Sequence, residues 1–441
     1  MHTPFIIRAT FACLVPAVAA AGQPALTPAS ATVVLSARAT DPPASAPAVP
    51  SDGAVEGARP AAEAPAAETP PPPPRPVPWR QWRAMTGEWG GLRPWLGTRG
   101  IEVGIEHVAD LSAAPAGTAG PSVGRGLTVM EARVDLGSVL PRAGGWSATV
   151  QYMRMDGGSG QACLASAQGF SNIDTDPFNG AGEAWIEGWL VPGHVRVKAG
   201  RVDANSEFAA VDNGGEFINP SMGFSPTVFV LPTYPSPSAS VNVFAETDHV
   251  YSATGLYNGR PAMGEAGVGA PFLIQEVGAR WGHDRPGRAG GGAWRHAGWF
   301  DRPDGTTTHA AGGYAVLDQA LWAGTNRAGA PATVGIFAQA GWADGAVADI
   351  ARHLGLGVST AGLIPGRALD RAGTALTLVV FGERCAAETP AGREMSVDSF
   401  YAVPVTDWLW LKSDVQVIVH AGGQAGERPA VVGTLRAHIV F

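Results

Sequence analysis

Apolar and polar side chains alternate along many short segments of the chain from residue 79 to the end. The clearest segment alternates apolar residues from Met130 to Leu136 with the charged Glu131, Arg133 and Asp135. Successive side chains of a β-strand point to opposite faces, so a period of two predicts a strand with one apolar and one charged face.

Counted along the chain, these segments predict sixteen strands. They span residues 100–110, 126–139, 145–155, 181–190, 194–200, 239–246, 249–257, 274–282, 290–299, 312–322, 333–342, 352–361, 373–383, 394–403, 406–419 and 430–441. Bacterial single-chain outer-membrane barrels have an even number of strands, each crossing the bilayer with about 9–11 residues. The pattern therefore predicts an all-β fold, an antiparallel transmembrane β-barrel of about 16 strands with an aqueous lumen.

A strand with one apolar and one charged face also occurs in the half-exposed sheet of a soluble protein. Tryptophans near the segment ends favour the barrel, because aromatic girdles mark the membrane interfaces. They are Trp89, Trp146, Trp299, Trp322 and Trp342. The last strand ends in Phe441, and through it we expect recognition by the outer-membrane barrel-assembly machinery.

The chain divides into three predicted parts. Residues 1–21 have an apolar run followed by small residues and predict a secretory signal peptide. Residues 22–78 are rich in Pro and Ala and predict a disordered, extended linker. The linker could contact the cell wall or act only as a spacer. Residues 79–441 form the predicted barrel domain.

Composition narrows the function classes. Charged residues are 15% of the chain, below the norm of about 25% for soluble proteins. The net charge is −8, and the absence of any basic run argues against a nucleic-acid partner. No catalytic, metal-binding or cofactor-binding motif is found, so neither an enzyme nor a cofactor is predicted. After signal cleavage, Cys163 and Cys385 could pair or remain free thiols.

Three stretches carry a resemblance to a known family. The first is TGEWGGLRPWL at residues 86–96. The second begins with VKAGRVD at 197–203 and continues with FINPSMGFSP at 217–226 and LPTYP at 231–235. The third is DVQVI at 414–418, which lacks the prolines of the family pattern. In these stretches the chain resembles the carbohydrate-selective porins of Gram-negative outer membranes, the OprB-like porins.

This resemblance extends over residues 80–441, although residues 285–395 share only the general alternation of the family and none of its motifs. It implies a passive outer-membrane channel for mono- and small oligosaccharides, narrowed by inward-folded loops and lined with arginines. Many members of the family are trimers, and apolar outer walls would permit a homotrimer here. Residues 202–238 are expected to fold into the lumen, the alternative being an external cover, and residues 156–180 form a second such loop.

The residue pattern around Pro192 and Gly193 predicts a hairpin in which Glu187 faces Lys198 and Trp189 faces Arg196. Charged groups beside indole rings can bind sugar hydroxyls and stack on a sugar's C–H face. Alternatively, the tryptophans belong to the interfacial girdle and the charges only neutralise the wall. The predicted pore-lining and sugar-binding residues are Glu131, Arg133, Asp135, Glu183, Trp185, Glu187, Arg196, Lys198, Arg201, Asp203, Arg280 and Arg436.

Two other functions fit parts of the pattern. A general diffusion porin for small polar solutes would have the same barrel and would not discriminate sugars from other solutes of similar size. A secreted all-β polysaccharide-binding protein would instead pack its apolar faces inward and dissolve without detergent.

Overall fold

The computed structural model describes residues 78–114, 122–174, 176–234, 236–259, 269–326 and 329–441. The predicted signal peptide lies outside the described residues, as does the predicted linker apart from Pro78. In the described part of the chain, sixteen antiparallel strands each pair with their neighbours in sequence, and β1 pairs with β16 to close a barrel.

Each of these strands overlaps one predicted strand, in the same order, so the predicted fold class is confirmed. The strands are β1 (Ile101–Ala113), β2 (Val123–Asp135), β3 (Trp146–Gly157), β4 (Phe178–Val191), β5 (Val195–Val202), β6 (Ser238–Glu246), β7 (Val250–Asn258), β8 (Pro271–Trp281), β9 (Gly287–Asp301), β10 (Thr307–Thr325), β11 (Pro331–Ala343), β12 (Ile350–Ala361), β13 (Arg371–Phe381), β14 (Arg393–Thr406), β15 (Leu409–Val419) and β16 (Ala430–Val440). The short α-helices are α1 (Leu92–Gly97), α2 (Leu136–Val139) and α3 (Pro220–Gly223).

The apolar face of the strands is the outer one. Met130 is 44% exposed, whereas its neighbour Glu131 is 7% exposed. Leu435 and Val415 are likewise exposed, while Arg436 beside Leu435 is buried. Apolar side chains outside and charged side chains inside are the arrangement of a barrel that is surrounded by lipid and encloses a polar lumen.

The two ends of the barrel differ in their connections. At one end, here called the turn end, lie short links such as residues 192–194 and 407–408. At the other, the loop end, lie the β3–β4 loop (158–177) and the β5–β6 loop (203–237). Outer-membrane barrels have short periplasmic turns and longer extracellular loops, so the loop end is the exterior end.

Aromatic residues lie at both ends of the outer wall. Trp299 and Trp342 are 68% and 57% exposed near the loop end of β9 and β11. Trp146 begins β3 at the turn end, and its ring lies over Gly188, where a Cβ atom would come within 2.2 Å of it. Trp322 is half-exposed on β10 near the turn end. These four positions agree with two interfacial girdles.

The segment before β1 covers the seam between the first and last strands. Met85 N–H donates to the carbonyl of Val440 at 2.7 Å, and Arg93 Nη2 donates to the carbonyl of Phe441 at 2.5 Å. Trp89 belongs to this segment, since it lies in a 3₁₀ turn and not on a strand. The stretch 86–96 therefore fastens the turn end of the closure.

Two predicted strands extend three or four residues beyond the strands of the structure. The predicted strand 126–139 ends at Asp135, because the carboxylate of Asp135 accepts a hydrogen bond from Gly137 N–H and begins α2. Residues 407–408 form the turn between β14 and β15, although they were predicted as the start of a strand. At Asp135 a local side chain–backbone bond competes with strand pairing, and such a bond is not visible in the alternation.

Among the described residues, no helix has both the length and the apolar character that crossing a bilayer requires.

Candidate functional site

The β5–β6 loop lies inside the barrel and is held by side chains of distant strands. Ala209 N–H donates to Glu276 of β8 at 3.1 Å, and Asn219 N–H donates to Asp398 of β14 at 3.0 Å. Gln339 of β11 donates to two backbone carbonyls of the same loop. The loop thus spans the lumen, as the sequence predicted for residues 202–238, and is not an external cover.

The β3–β4 loop also folds inward. Glu394 of β14 accepts hydrogen bonds from the Ser166 hydroxyl at 2.9 Å and from Gln168 N–H at 3.0 Å. Asn172 N–H donates to the carbonyl of Ile218 at 2.8 Å, so the two inward loops bind each other. Together they narrow the lumen from the loop end.

Three acidic residues of the β5–β6 loop each contact one or two basic residues of the wall, at three separate places. The first is Glu207, which pairs with Lys198 at 2.8 Å and with Arg196 at 3.0 Å. Arg196 also pairs with Glu187 of β4. All four charged side chains are largely buried. This group ties the start of the loop to the β4–β5 hairpin.

The second group surrounds Arg288 of β9. Its guanidinium lies 3.1 Å from Asp318 of β10 and 4.0 Å from Asp212 of the loop. It also donates a 2.6 Å hydrogen bond to the carbonyl of Ala210. Glu276 lies 3.9 Å away. A single arginine therefore holds together three carboxylates and the loop backbone.

The third group surrounds Glu216, near the middle of the loop. Arg371 of β13 and Lys412 of β15 both lie against its carboxylate. Arg371 lies over the ring of Trp410 at 5.1 Å, and Lys412 lies over Phe400 at 4.5 Å. The lumen here presents cations and aromatic faces side by side.

Taken together, the three groups are close to balanced in charge, with five cations and six carboxylates. The group around Arg288 has an excess of carboxylates, and the group around Glu216 has an excess of cations. The lumen around the loop therefore offers many hydrogen-bonding groups without a strong field of one sign. Such a lining suits polar, uncharged solutes better than ions of either charge.

The basic residues of the wall lower the pKa values of Glu207 and Glu216. Burial favours their neutral forms, but Lys198 and Arg196 outweigh it at Glu207, and Arg371 and Lys412 outweigh it at Glu216. Both pKa values therefore lie below the ordinary value of 4.5. A lowered carboxyl pKa adds stability above the unfolded pKa, and this stability is lost only as the pH falls through the folded pKa.

Asp212, the third acid of the loop, differs, because burial and the neighbouring Asp318 raise its pKa to about 6. We therefore expect single-channel fluctuations to begin as the pH falls through about 6, when Asp212 is protonated and loses its attraction to Arg288. Further fluctuations should appear at lower pH, when Glu207 and Glu216 are protonated as well. Planar-bilayer recordings from about pH 7.5 to about pH 4 measure the effect, with Asp212→Asn as the control that should lack the step near pH 6. A wild-type channel that shows no change down to about pH 5 would contradict the expectation.

The predicted β4–β5 hairpin is confirmed in register. Glu187 lies opposite Lys198 and Trp189 opposite Arg196. Gly193 has a φ of +73°, which the third residue of a type II turn requires and glycine adopts without strain.

Trp185 faces the lumen on the same strand but is only 7% exposed. Its ring is covered by the Lys198 ammonium at 4.2 Å. It belongs to the largest apolar cluster, which packs the β5–β6 loop against the wall. A sugar could stack on this ring only if Lys198 moved away, whereas the half-buried Trp189 is more accessible.

Two predicted site residues anchor the loop instead of lining open space. Glu183 accepts a hydrogen bond from Asp203 N–H at 2.9 Å. Asp203 in turn accepts from Asn205 N–H at 2.8 Å and from Tyr234 N–H at 3.0 Å, which brings the two ends of the loop together. Both carboxylates are buried.

Arg436 anchors the second loop. Its guanidinium forms a bidentate pair with Asp110 at 2.7 and 2.8 Å and donates to Asn172 at 2.7 Å. Arg280 pairs with Glu246 at 3.1 Å on the lumen wall. Both arginines project inward, as predicted.

On β2, the three predicted residues differ in their surroundings. Glu131 is buried and accepts a 2.7 Å hydrogen bond from Gln151, whereas Arg133 is half-buried with its guanidinium 3.4 Å from the Ser147 hydroxyl. Asp135 is exposed and caps α2. Of the three, Arg133 is the one whose charged group both faces the lumen and remains partly open to solvent.

Arg201 lies on the outer wall and not in the lumen, contrary to the prediction. The register places it opposite Ala184 and Ala239, which are exposed on the outer wall, while the next residue, Val202, is fully buried inside. The prediction that Arg201 lines the lumen is therefore wrong. It came from the resemblance and from the charge, and the strand alternation around the residue points the other way.

Several residues of the site were not foreseen. The loop acids Glu207, Asp212 and Glu216 stand in a segment without strand alternation, and their partners Arg288 and Arg371 lie far away in sequence. The spacing of the three acids along the loop could have indicated repeated contacts with basic residues of the wall. Cys163 and Cys385, whose pairing the sequence left open, are both free thiols.

A closed sixteen-stranded barrel with an apolar outer wall, a charged lumen and inward-folded loops is an outer-membrane porin. The model of the carbohydrate-selective porin, OprB family, matches residues 126–304 and 295–441. This match covers well over half of the sequence, and the chain belongs to that family. The stretch 86–96 lies before the matched region.

Solved structures agree with this fold. The high-pH structure of OprB from Pseudomonas putida covers 82% of this chain and 99% of its own, with a TM-score of 0.71 and 16% identity. The low-pH structure of the same protein has the same coverage and identity and a TM-score of 0.53. No curated protein sequence matches this chain. The chain is thus a carbohydrate-selective porin of the bacterial outer membrane.

Proposed function

We propose that the porin passes mono- and small oligosaccharides passively, and that the solute path follows the lumen wall of β2–β5 beside the β5–β6 loop. The observation that carries the proposal is the balanced set of charged groups beside aromatic rings around this loop. A sugar offers hydroxyls to the charged groups and an apolar C–H face to the rings. Such a channel needs no energy source and no catalytic residue.

Within this path, Arg133, Glu187, Arg196 and Trp189 are the proposed sugar contacts. Arg133 is the best single target, since it faces the lumen, is partly open to solvent and lies near the hydroxyl of Ser147 and the carboxylate of Glu102. A guanidinium has five donors in a fixed plane and can bind adjacent hydroxyls.

Liposome swelling with a monosaccharide, a disaccharide and an amino acid of similar size tests the proposal. We expect faster swelling with the sugars and a several-fold slower disaccharide rate for Arg133→Gln. The control is Met130→Leu, which lies on the outer face of the same strand and should leave all rates unchanged. Equal rates for sugars and the amino acid would favour a general diffusion porin instead.

Three further partners are proposed: the barrel-assembly machinery, membrane lipid and further copies of this chain. The last strand, β16, presents the apolar Leu435 and Ile439 on its outer face and continues to Phe441, which suits recognition by the barrel-assembly machinery. The apolar outer wall would bind lipid and would also permit a homotrimer. Chemical cross-linking in intact outer membranes tests the trimer, and truncation of Phe441 tests the assembly signal.

A further inference from the structure

We infer that Arg352 and Arg393, two arginines on the outer wall, bind the phosphate of an anionic lipid headgroup in the outer leaflet. Arg352 of β12 lies opposite Val380 of β13, and Val380 lies opposite Arg393 of β14. The three side chains therefore form a row across adjacent strands. Val380 is exposed on the outer wall, and both arginines are exposed with it.

The row lies at the level of the lipid headgroups. Arg393 is the first residue of β14, and Arg352 follows Ile350 and Ala351 at the start of β12, so both stand at the loop end. Trp342 lies opposite Arg352 on β11 and is 57% exposed. Exposed tryptophans of a barrel mark the boundary between hydrocarbon and headgroups.

The two arginines carry uncompensated charge. Within the described ranges, neither forms an ion pair with a carboxylate. Arg154 on the same outer wall differs, since Asp156 neutralises it at 2.8 Å. Arg352 and Arg393 stand two strand spacings apart, about 10 Å between backbones, so their long side chains can converge on one phosphate group. The planar guanidinium is the side chain best suited to bind phosphate in a bidentate manner.

Charge on the outer wall is also distributed unevenly. Along the described strands, outward-facing charged side chains occur only in the halves near the loop end. They are Arg154, Asp156, Arg201, Arg295, Asp301, Arg352 and Arg393, five cations against two anions. The turn-end halves present apolar or uncharged residues to the membrane. The excess of cations at this end fits an exterior leaflet with anionic headgroups, which attract basic side chains near the membrane surface.

The test compares wild type, Arg352→Gln/Arg393→Gln and Arg154→Gln in bilayer nanodiscs of phosphatidylcholine with a small fraction of bisphosphorylated lipid A. Native mass spectrometry then counts the lipid A molecules that stay bound to each barrel. We expect the double variant to lose roughly tenfold or more in lipid A affinity, and the matched control Arg154→Gln to behave as wild type. Lipid A without its phosphates should bind equally weakly to all three.

Several results would overturn the inference. Unchanged lipid A binding in the double variant would do so, as would equal losses in Arg154→Gln. Equal binding of the dephosphorylated lipid would exclude the phosphate as the ligand. Loss of an oligomer with unchanged lipid A binding would assign the arginines to a subunit contact. Sugar-driven liposome swelling is measured separately, because the lipid site does not depend on which solute passes the channel.

Discussion

Removal of residues 205–225 is expected to raise the single-channel conductance several-fold and to abolish discrimination by solute size. This segment contains Glu207, Asp212 and Glu216, the three acids that join the loop to the walls of β5, β9 and β13. Without it, nothing from the β5–β6 loop would span the lumen, and a barrel of roughly 16 strands encloses an open aqueous channel.

Planar-bilayer recording and liposome swelling with sugars of increasing size measure this prediction. The loop supplies much of the largest apolar cluster, including Phe208 and Phe217, so a folded barrel must first be shown by circular dichroism and heat-modifiable gel mobility. A second variant, Glu207→Gln/Glu216→Gln, keeps the loop length and should increase current fluctuations without abolishing size selection. A folded deletion variant with wild-type conductance would show that the loop does not limit the channel.

Val277→Arg is expected to destabilise the barrel by about 2–4 kcal/mol, because an arginine on the lipid face is costly near the bilayer midplane. Val277 lies near the middle of β8, on the outer face, and is 54% exposed. The side chain at this position contacts hydrocarbon, which cannot solvate a guanidinium.

Denaturant unfolding in lipid vesicles gives the change in unfolding free energy. The matched control is Glu102→Arg, which also introduces an arginine but on the lumen face of β1, where the native side chain is 75% exposed. Glu102 lies 4.0 Å from Arg133, so this control loses an exposed ion pair and should cost about 1 kcal/mol or less. Equal destabilisation by both substitutions would contradict the assignment of the outer face to lipid.

The sequence alone determined the barrel. Alternation with a period of two follows from the geometry of a strand, and the sixteen strands could be counted because each is local in the chain. The same alternation placed Glu131, Arg133 and Arg436 inside. It also placed Leu435 outside, next to Arg436. Even the hairpin register of Glu187 with Lys198 followed from the expectation of a tight turn at Pro192 and Gly193.

Only the tertiary structure decided how the lumen is filled. The inward loops have no period, and their positions depend on pairs such as Glu216 with Arg371, which are 155 residues apart in the chain. Such partners come together only in the closed barrel, and no local sequence preference indicates them. For the same reason the sequence could not tell that Glu183 and Asp203 anchor a loop, or that Trp185 lies under Lys198. Strand geometry is a local property of the chain, whereas the channel is formed by contacts between segments that are distant in sequence.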